Sequence, residues 1–428
     1  MKTLVLASIS KTSLRSATIA LMFAILSGAL AAQSVQAQTY TVLYTFMGVA
    51  DGAVPEAGLV RDPEGNLYGT TLAGGDFTCN PLGCGVVFKI DTTGKETLLY
   101  SFRRGNGYGS IELAGLTLDS QGNLFGTRVA PDIGIAFELT PSDRFAVLHN
   151  FHRAAGGLYP EARVVLDSSG NLYGTTATGG NSTASGVVFK LDKFGRETVL
   201  YTFTCPICNG KKGGGFGYPT GGVIRDSGGN LFGTASGGTK TKYCSSGCGV
   251  VYKIDKTGVG SVLYNFKWGT DGMIPGGNLI MDAAGNLYGT TRMGGNSGCF
   301  ENYGCGIVFK VDPSGKETVL YRFSGGKDGG IPTGGLALDS QGNLYGTTSI
   351  GGANGCFMTY SGCGTIFKVA PGGALTILYT FMGGTDGGYP NPDLVKDDAG
   401  NLYGTAGAGG GTSCPDYVSC GVVFKITP

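Results

Sequence analysis

Gly342-Asn343-Leu344-Tyr345-Gly346-Thr347-Thr348 is one of seven identical or near-identical copies of a single phrase. The asparagines of the copies are Asn66, Asn123, Asn171, Asn230, Asn286, Asn343 and Asn401, spaced by 57, 48, 59, 56, 57 and 58 residues. A period of this length with strand-like content marks a radial β repeat. Reading outward from the quoted copy, Gly335–Asp339 is a short apolar strand, a, and Ser340-Gln341-Gly342 is a turn. Asn343–Thr348 is strand b, followed by a Gly-rich loop that carries Cys356 and Cys363. Thr365–Val369 is strand c, Pro371-Gly372-Gly373 turns the chain, and Leu375–Phe381 is strand d. These runs are rich in Val, Ile, Leu, Tyr, Phe and Thr and are bounded by Gly, Asp and Pro. The sequence after the first 37 residues shows no sustained 3.6-residue period, so almost no helix is expected.

Four antiparallel strands in under 60 residues cannot bury both faces alone, but sheets stacked around an axis can. Seven copies predict an all-β chain, a seven-bladed β-propeller of four-stranded antiparallel blades filling residues 38–428 as one domain. A linear β-solenoid is the alternative. The chain ends favour the ring. Thr41–Phe46 reads as a lone d strand, and the last repeat stops after its c strand, Val422–Ile426. The first segment supplies what the last blade lacks, which closes the ring and removes an open sheet edge.

Residues 1–37 read as a secretory leader: Lys2, Lys11 and Arg15, an apolar run from about Ala17 to Ala32, then Val35-Gln36-Ala37, with cleavage expected before Gln38. A membrane anchor is the competing reading of that run, but it is short for a span. No membrane insertion is expected after cleavage. The leader holds no cysteine, which argues against a lipid anchor there, and no anchoring tail follows the last strand. Removing the leader takes three positive charges and lowers the formal charge from +1 to −2, which gives no electrostatic reason to expect nucleic acid as a partner. The 12 cysteines form six close pairs: Cys79/Cys84, Cys205/Cys208, Cys244/Cys248, Cys299/Cys305, Cys356/Cys363 and Cys414/Cys420. With a leader present they read as local disulfides, each worth about 2 kcal/mol by loop entropy and stiffening its own loop more than the whole fold. Two-cysteine sites without nearby histidine would make poor zinc sites. The expected location is secreted or periplasmic.

Few residues suggest chemistry. The aspartates before each a–b turn (Asp62, Asp119, Asp167, Asp226, Asp282, Asp339 and Asp397) could form a ring of carboxylates, but each is better read as a turn cap. The preceding residues, Arg61, Leu118, Leu166, Arg225, Met281, Leu338 and Lys396, contain no carboxylate and offer no metal cluster. His149 stands where the other d strands carry tyrosine and reads as a packing residue; His152 follows in the exit loop. The Asp-Gly pairs at Asp51, Asp271, Asp328 and Asp386 could hold calcium, although Asp-Gly is also a common turn pair. No other cofactor is expected. Trp268, the only tryptophan, could stack on a sugar or pack on a neighbouring loop. Blade II breaks the repeat: its b–c loop, Arg128 to Ile133, is short and lacks cysteine. Arg103, Arg104, Glu112, Arg128, Asp132, His152, Glu161 and Arg163 lie in or beside its loops. Such an irregular sector is either functional or a decayed blade.

The phrase Gly-Asn-Leu-Tyr-Gly-Thr-Thr, followed by Gly-Val-Val-Phe-Lys-Ile-Asp and Glu-Thr-Val-Leu-Tyr-Thr-Phe, resembles the GloVer tandem repeat of secreted bacterial choice-of-anchor tandem repeat proteins, over Tyr40 to Pro428. Its Asp-x-x-Gly-Asn turn is also similar to that of NHL and SMP-30-like propellers. The resemblance implies secretion and a propeller but no reaction and no catalytic residues. Unlike many of those relatives, the chain shows no recognisable C-terminal sorting segment.

The resulting expectation is a secreted, non-enzymatic binding or scaffold protein for a glycan, peptide or envelope component. The alternatives are a propeller enzyme of lyase, lactonase or glycan-active type and a structural envelope component. In a propeller wound a to d, the b–c and d–a connections share one face. That face carries the cysteines, Trp268, the Asp-Gly pairs and His152, and its loops vary in length. Ligand binding is expected there, with Arg104, Arg128, Asp132, His152 and Trp268 as candidates.

Overall fold

Each residue of the repeated phrase has its own structural task. The glycine takes a left-handed turn conformation, with φ between 81° and 97° across the seven copies. In the first copy, the amide and side-chain nitrogens of Asn66 donate to the two oxygens of Asp62, each at 2.7 Å, and the Tyr68 hydroxyl donates to Asp62 Oδ2 at 2.9 Å. The leucine is buried in the blade core. The second glycine faces the phenylalanine of strand c: a Cβ on Gly69 would sit 2.5 Å from Phe88 Cζ, so only glycine admits the ring. The first threonine bonds the next blade, as in Thr175 Oγ1 to Gly221 O and Thr290 Oγ1 to Gly334 O, both 3.0 Å. The second bonds its own loop, as in Thr71 Oγ1 to Ala73 O at 2.8 Å.

The computed structural model describes residues 38–79, 81–103, 112–129, 134–152, 157–180, 184–204, 217–238, 240–295, 298–299, 303–332, 334–352, 362–411, 414 and 419–427. Seven antiparallel sheets follow one another along the chain. Blade I comprises Val60–Arg61, Leu67–Thr71, Val86–Ile90 and Glu96–Ser101, and the later blades repeat the order. The expected propeller is therefore present. Among the described residues the only helical element is a three-residue 3-10 turn, Gly269–Asp271. Most inner strands are shorter than expected: Ala337–Leu338 replaces Gly335–Asp339. The Gly335 amide bonds Asp393 of the next blade, and the Asp339 amide bonds Asn343 O within the turn, which leaves only the middle of the run in the ladder.

The ring closes as expected, through Thr39–Thr45, which pairs antiparallel with Val422–Thr427 in register Tyr40↔Ile426. This strand also reaches both neighbours of the last blade. Tyr40 stacks on Tyr379 of blade VI at 3.8 Å, and fully buried Phe46 meets Phe88 of blade I edge-to-face at 5.0 Å.

The cysteine loops take part in a second contact between blades. Disulfides join Cys79–Cys84, Cys244–Cys248, Cys299–Cys305 and Cys414–Cys420. Cys205, Cys208 and Cys356 fall outside the described residues. The carbonyl of the second cysteine accepts a hydrogen bond from the next blade: Val54 N to Cys420 O (3.1 Å), Ile274 N to Cys248 O (2.9 Å), Ile331 N to Cys305 O (2.8 Å) and Tyr389 N to Cys363 O (2.9 Å). These donors hold φ between 51° and 56°, a costly conformation for β-branched and aromatic residues. A proline follows each donor and packs on the glycine after the cysteine. A Cβ on Gly249 would lie 2.1 Å from Pro275 Cδ, and one on Gly421 would lie 2.3 Å from Pro55 Cδ. The disulfides are local, but the loops they fix hold one blade to the next, which is more than loop stiffening.

Two outcomes follow for stability. Phe46→Ala should cost about 3–5 kcal/mol in denaturant unfolding, and deleting Thr41–Phe46 should lower the melting temperature strongly; an unchanged transition would contradict closure by this strand. The turn aspartates set an acid limit. Burial works against the Asp167 charge, but donation from Asn171, Tyr173 and Ser169 outweighs it and holds the carboxyl at about 2. The same balance lowers Asp62, Asp226, Asp282, Asp339 and Asp397. A depressed pKa gives stability that is full above the ordinary carboxylate range and is lost as pH falls through about 4 towards 2. Asp167→Asn should flatten that part of a melting-temperature profile.

Candidate functional site

The inner strands enclose a central channel, and the residue four places before each turn aspartate stands at the start of its wall. Around the ring this position reads Gly58, Gly115, Arg163, Gly222, Asn278, Gly335 and Asp393. Four glycines clear space and three polar side chains occupy it. A Cβ on Gly335 would lie 2.1 Å from Asp393 Oδ1, one on Gly222 2.7 Å from Asn278 Oδ1, and one on Gly58 2.5 Å from Asp393 Cβ.

The three side chains form a polar belt. Asn278 Oδ1 accepts from the Gly222 amide at 3.0 Å, and its Nδ2 donates to Asp393 Oδ2 at 3.0 Å. Asp393 Oδ1 accepts from the Gly335 amide at 3.0 Å. Asp393 has φ 64°, a left-handed conformation that aspartate tolerates better than most residues. Arg163 Nε lies 3.5 Å from Thr117 Oγ1, whose own proton goes to Val164 O. Arg163 and Asp393 influence each other's charge but form no ion pair within 4.0 Å. Enclosure by the ring raises the Asp393 pKa, against the opposing pull of Arg163, the Gly335 amide and Asn278. It lowers that of Arg163, against the pull of Asp393. A cavity of about 700 Å³ runs from this belt to the a–b turns of blades II and III, Asp119–Gln121 and Asp167–Ser168. Leu118, Phe125, Leu166, Ile224, Ile280 and Val395 form its apolar wall, and nearly as much of the lining is polar, with Asp119, Gln121, Asp167 and Ser168 at the turns.

The residues expected to bind a ligand do not converge. Arg128 is 1% exposed and takes a position held by threonine or alanine in the other blades; its guanidinium lies 4.7 Å from the Phe102 ring centroid, and burial pushes its pKa down to about 10. His152 is exposed where the chain leaves blade II. Trp268 packs on a neighbouring loop, stacking on Tyr243 at 3.7 Å. Arg104 and Asp132 lie outside the described residues. His149 replaces a tyrosine, with Nδ1 3.1 Å from Gly195 O and Nε2 3.5 Å from Glu197. The Asp-Gly aspartates cap their loops. Asp51, Asp328 and Asp386 each accept a tyrosine hydroxyl at 3.0 Å and Asp271 accepts one at 2.5 Å, together with a backbone amide. Among the described residues no group of three His, Cys, Asp or Glu is placed to hold a metal ion.

The belt contains one residue, Arg163, that the sequence placed beside blade II, and two, Asn278 and Asp393, that it did not single out. The signal was a column of glycines interrupted three times, three places before the column of Arg61 and Leu118. Asn278→Ala would strand the Gly222 amide and one oxygen of Asp393. It should cost about 1–3 kcal/mol in denaturant unfolding; a neutral effect would mean that water replaces the amide.

Two solved structures cover nearly all of the chain at 14% identity. Virginiamycin B lyase from Staphylococcus aureus has a TM-score of 0.57, covering 91% of this chain and 99% of its own. A fungal alcohol oxidase of the AA5 family, in complex with copper, also has a TM-score of 0.57, covering 92% and 77%. At that identity the likeness is one of fold. No curated protein matches the sequence. The Gloeobacter/Verrucomicrobia repeat matches residues 83–301 and 300–428, so this seven-bladed propeller belongs to the Gloeobacter/Verrucomicrobia repeat family.

Proposed function

We propose that this is a secreted or periplasmic, non-enzymatic binding or scaffold propeller. Its recognition surface is the face formed by the b–c and d–a loops, and its partner is a glycan, peptide or envelope component. The observation that carries this reading is the distribution of exposed apolar side chains. Among the described residues eight of the thirteen exposed large apolar side chains lie in those loops, Met47 (48% exposed), Val49 (57%), Phe77 (50%), Tyr303 (42%) and Met382 (61%) among them; Leu98, Val147 and Val199 lie on outer strands, and Phe194 and Val259 lie in c–d turns on the other face. A face that holds most of the exposed apolar side chains is the better candidate for an interaction surface. The described parts of these loops carry disulfides and hydrogen bonds to the next blade, which restrict them before binding. Disulfides also fit an oxidising compartment, and a leader ending before Gln38 would deliver the chain there.

Mature protein with an N-terminus at Gln38 can be screened against glycan arrays and envelope extracts. Met47→Ser with Met382→Ser, and Tyr303→Ser, should weaken any interaction found by about ten-fold or more, as expected for the loss of a buried anchor. Changes at Gln121 and Gln341 in the a–b turns should leave it intact. Loss from the turn changes alone would place the partner on the opposite face and overturn the proposal.

A further inference from the structure

We propose that the central channel is a separate small-molecule site for an α-amino or α-hydroxy carboxylate with an apolar body. The argument is independent of the loop-face reading. Among the described residues the two terminal nitrogens of the Arg163 guanidinium have no hydrogen-bond partner, and Arg163 lines the cavity. A planar fork of this kind matches a carboxylate bidentately. Asp393 stands apart from it, fixed by the Gly335 amide and Asn278, with further acceptor capacity on both oxygens. A cavity lined by both a carboxylate-binding fork and a carboxylate acceptor suits a molecule that carries a donor near its own carboxylate. The belt's single positive and single negative charge match such a head group, and the glycines at 58, 222 and 335 leave room for the Asn278 and Asp393 side chains that hold it.

The body of the ligand is defined by the walls. From the belt the cavity descends between Leu118, Ile224, Ile280 and Val395 to a polar rim at Asp119 and Asp167. Its volume of about 700 Å³ lies within the usual range for small-molecule sites. A sugar would set hydroxyls against Leu118, Ile224, Ile280 and Val395. An aryl or branched aliphatic chain would remove those walls from water.

Three compounds that differ in one group test this by calorimetry on the unmodified protein: L-phenylalanine, L-phenyllactate and 3-phenylpropionate. At least one of the first two should bind about ten-fold or more tightly than 3-phenylpropionate, which lacks the α donor, as expected for one hydrogen bond to a charged group. Which of the two binds identifies the donor as ammonium or hydroxyl. Arg163→Met should abolish binding. Arg163→Lys keeps the charge but not the fork and should weaken binding with the melting temperature preserved. Asp393→Asn should reduce the preference for an α donor. Tyr303→Ser on the loop face should leave binding unchanged, which separates this site from the loop-face proposal. Equal affinity for all three compounds, no binding of any, or undiminished binding in a folded Arg163 variant would overturn the proposal.

Discussion

The structure depends on hydrogen bonds that leave one blade and end on the next. A four-stranded blade with a two-residue inner strand satisfies little of its own inner backbone. The repeated threonine supplies the missing donor from outside, as Thr347 Oγ1 does for Asn391 O at 3.0 Å and Thr405 Oγ1 for Ala57 O at 3.1 Å. Further out, the second cysteine of one loop accepts the amide of the next blade's strained residue, and a proline packs over the adjoining glycine. The two contacts hold the blades at the inner wall and at the loop face. A buried carbonyl without either partner would cost what an unsatisfied backbone group costs. The repeat is therefore a unit of the ring and not a small domain that happens to be copied.

The same economy accounts for the channel. Residues at the start of the inner wall are crowded by those of nearby blades, and four of the seven are glycine. Where a longer side chain occurs it must be held by something other than packing. Asn278 and Asp393 are held by amides of neighbouring blades, and the aliphatic part of Arg163 runs beside Gly115. Polar residues at such positions carry the whole cost of enclosure without contributing to the blade core.

How far the sequence could be read follows from this. Tasks internal to one repeat were legible because the chemistry is local: the aspartate cap of Asp62, the turn glycine of Gly65, the four strands. Ring closure was legible because Thr41–Phe46 and Val422–Ile426 are complementary parts of one repeat. Contacts between blades were not, since nothing adjacent in the chain says that Thr290 meets Gly334 or that Cys248 meets Ile274. Arg128 shows the same limit from the other side. It breaks the threonine column and invites a functional reading, yet the fold buries it against Phe102. Burial at a blade boundary is a property of the neighbouring blade, which the local sequence does not contain.

The closing strand has a kinetic consequence. Thr39–Thr45 is the first element of the propeller to be synthesised, and its partner, Val422–Thr427, is the last. Blades I to VI can each form from nearby segments, but the final pairing joins residues separated by nearly the whole chain. Contacts of such high sequence separation form late. Until they form, Val422–Thr427 presents an unpaired strand edge, which is a template for association with another chain. Assembly of this ring thus ends in a competition between its own first strand and that of a neighbouring molecule, and dilution during folding favours the former.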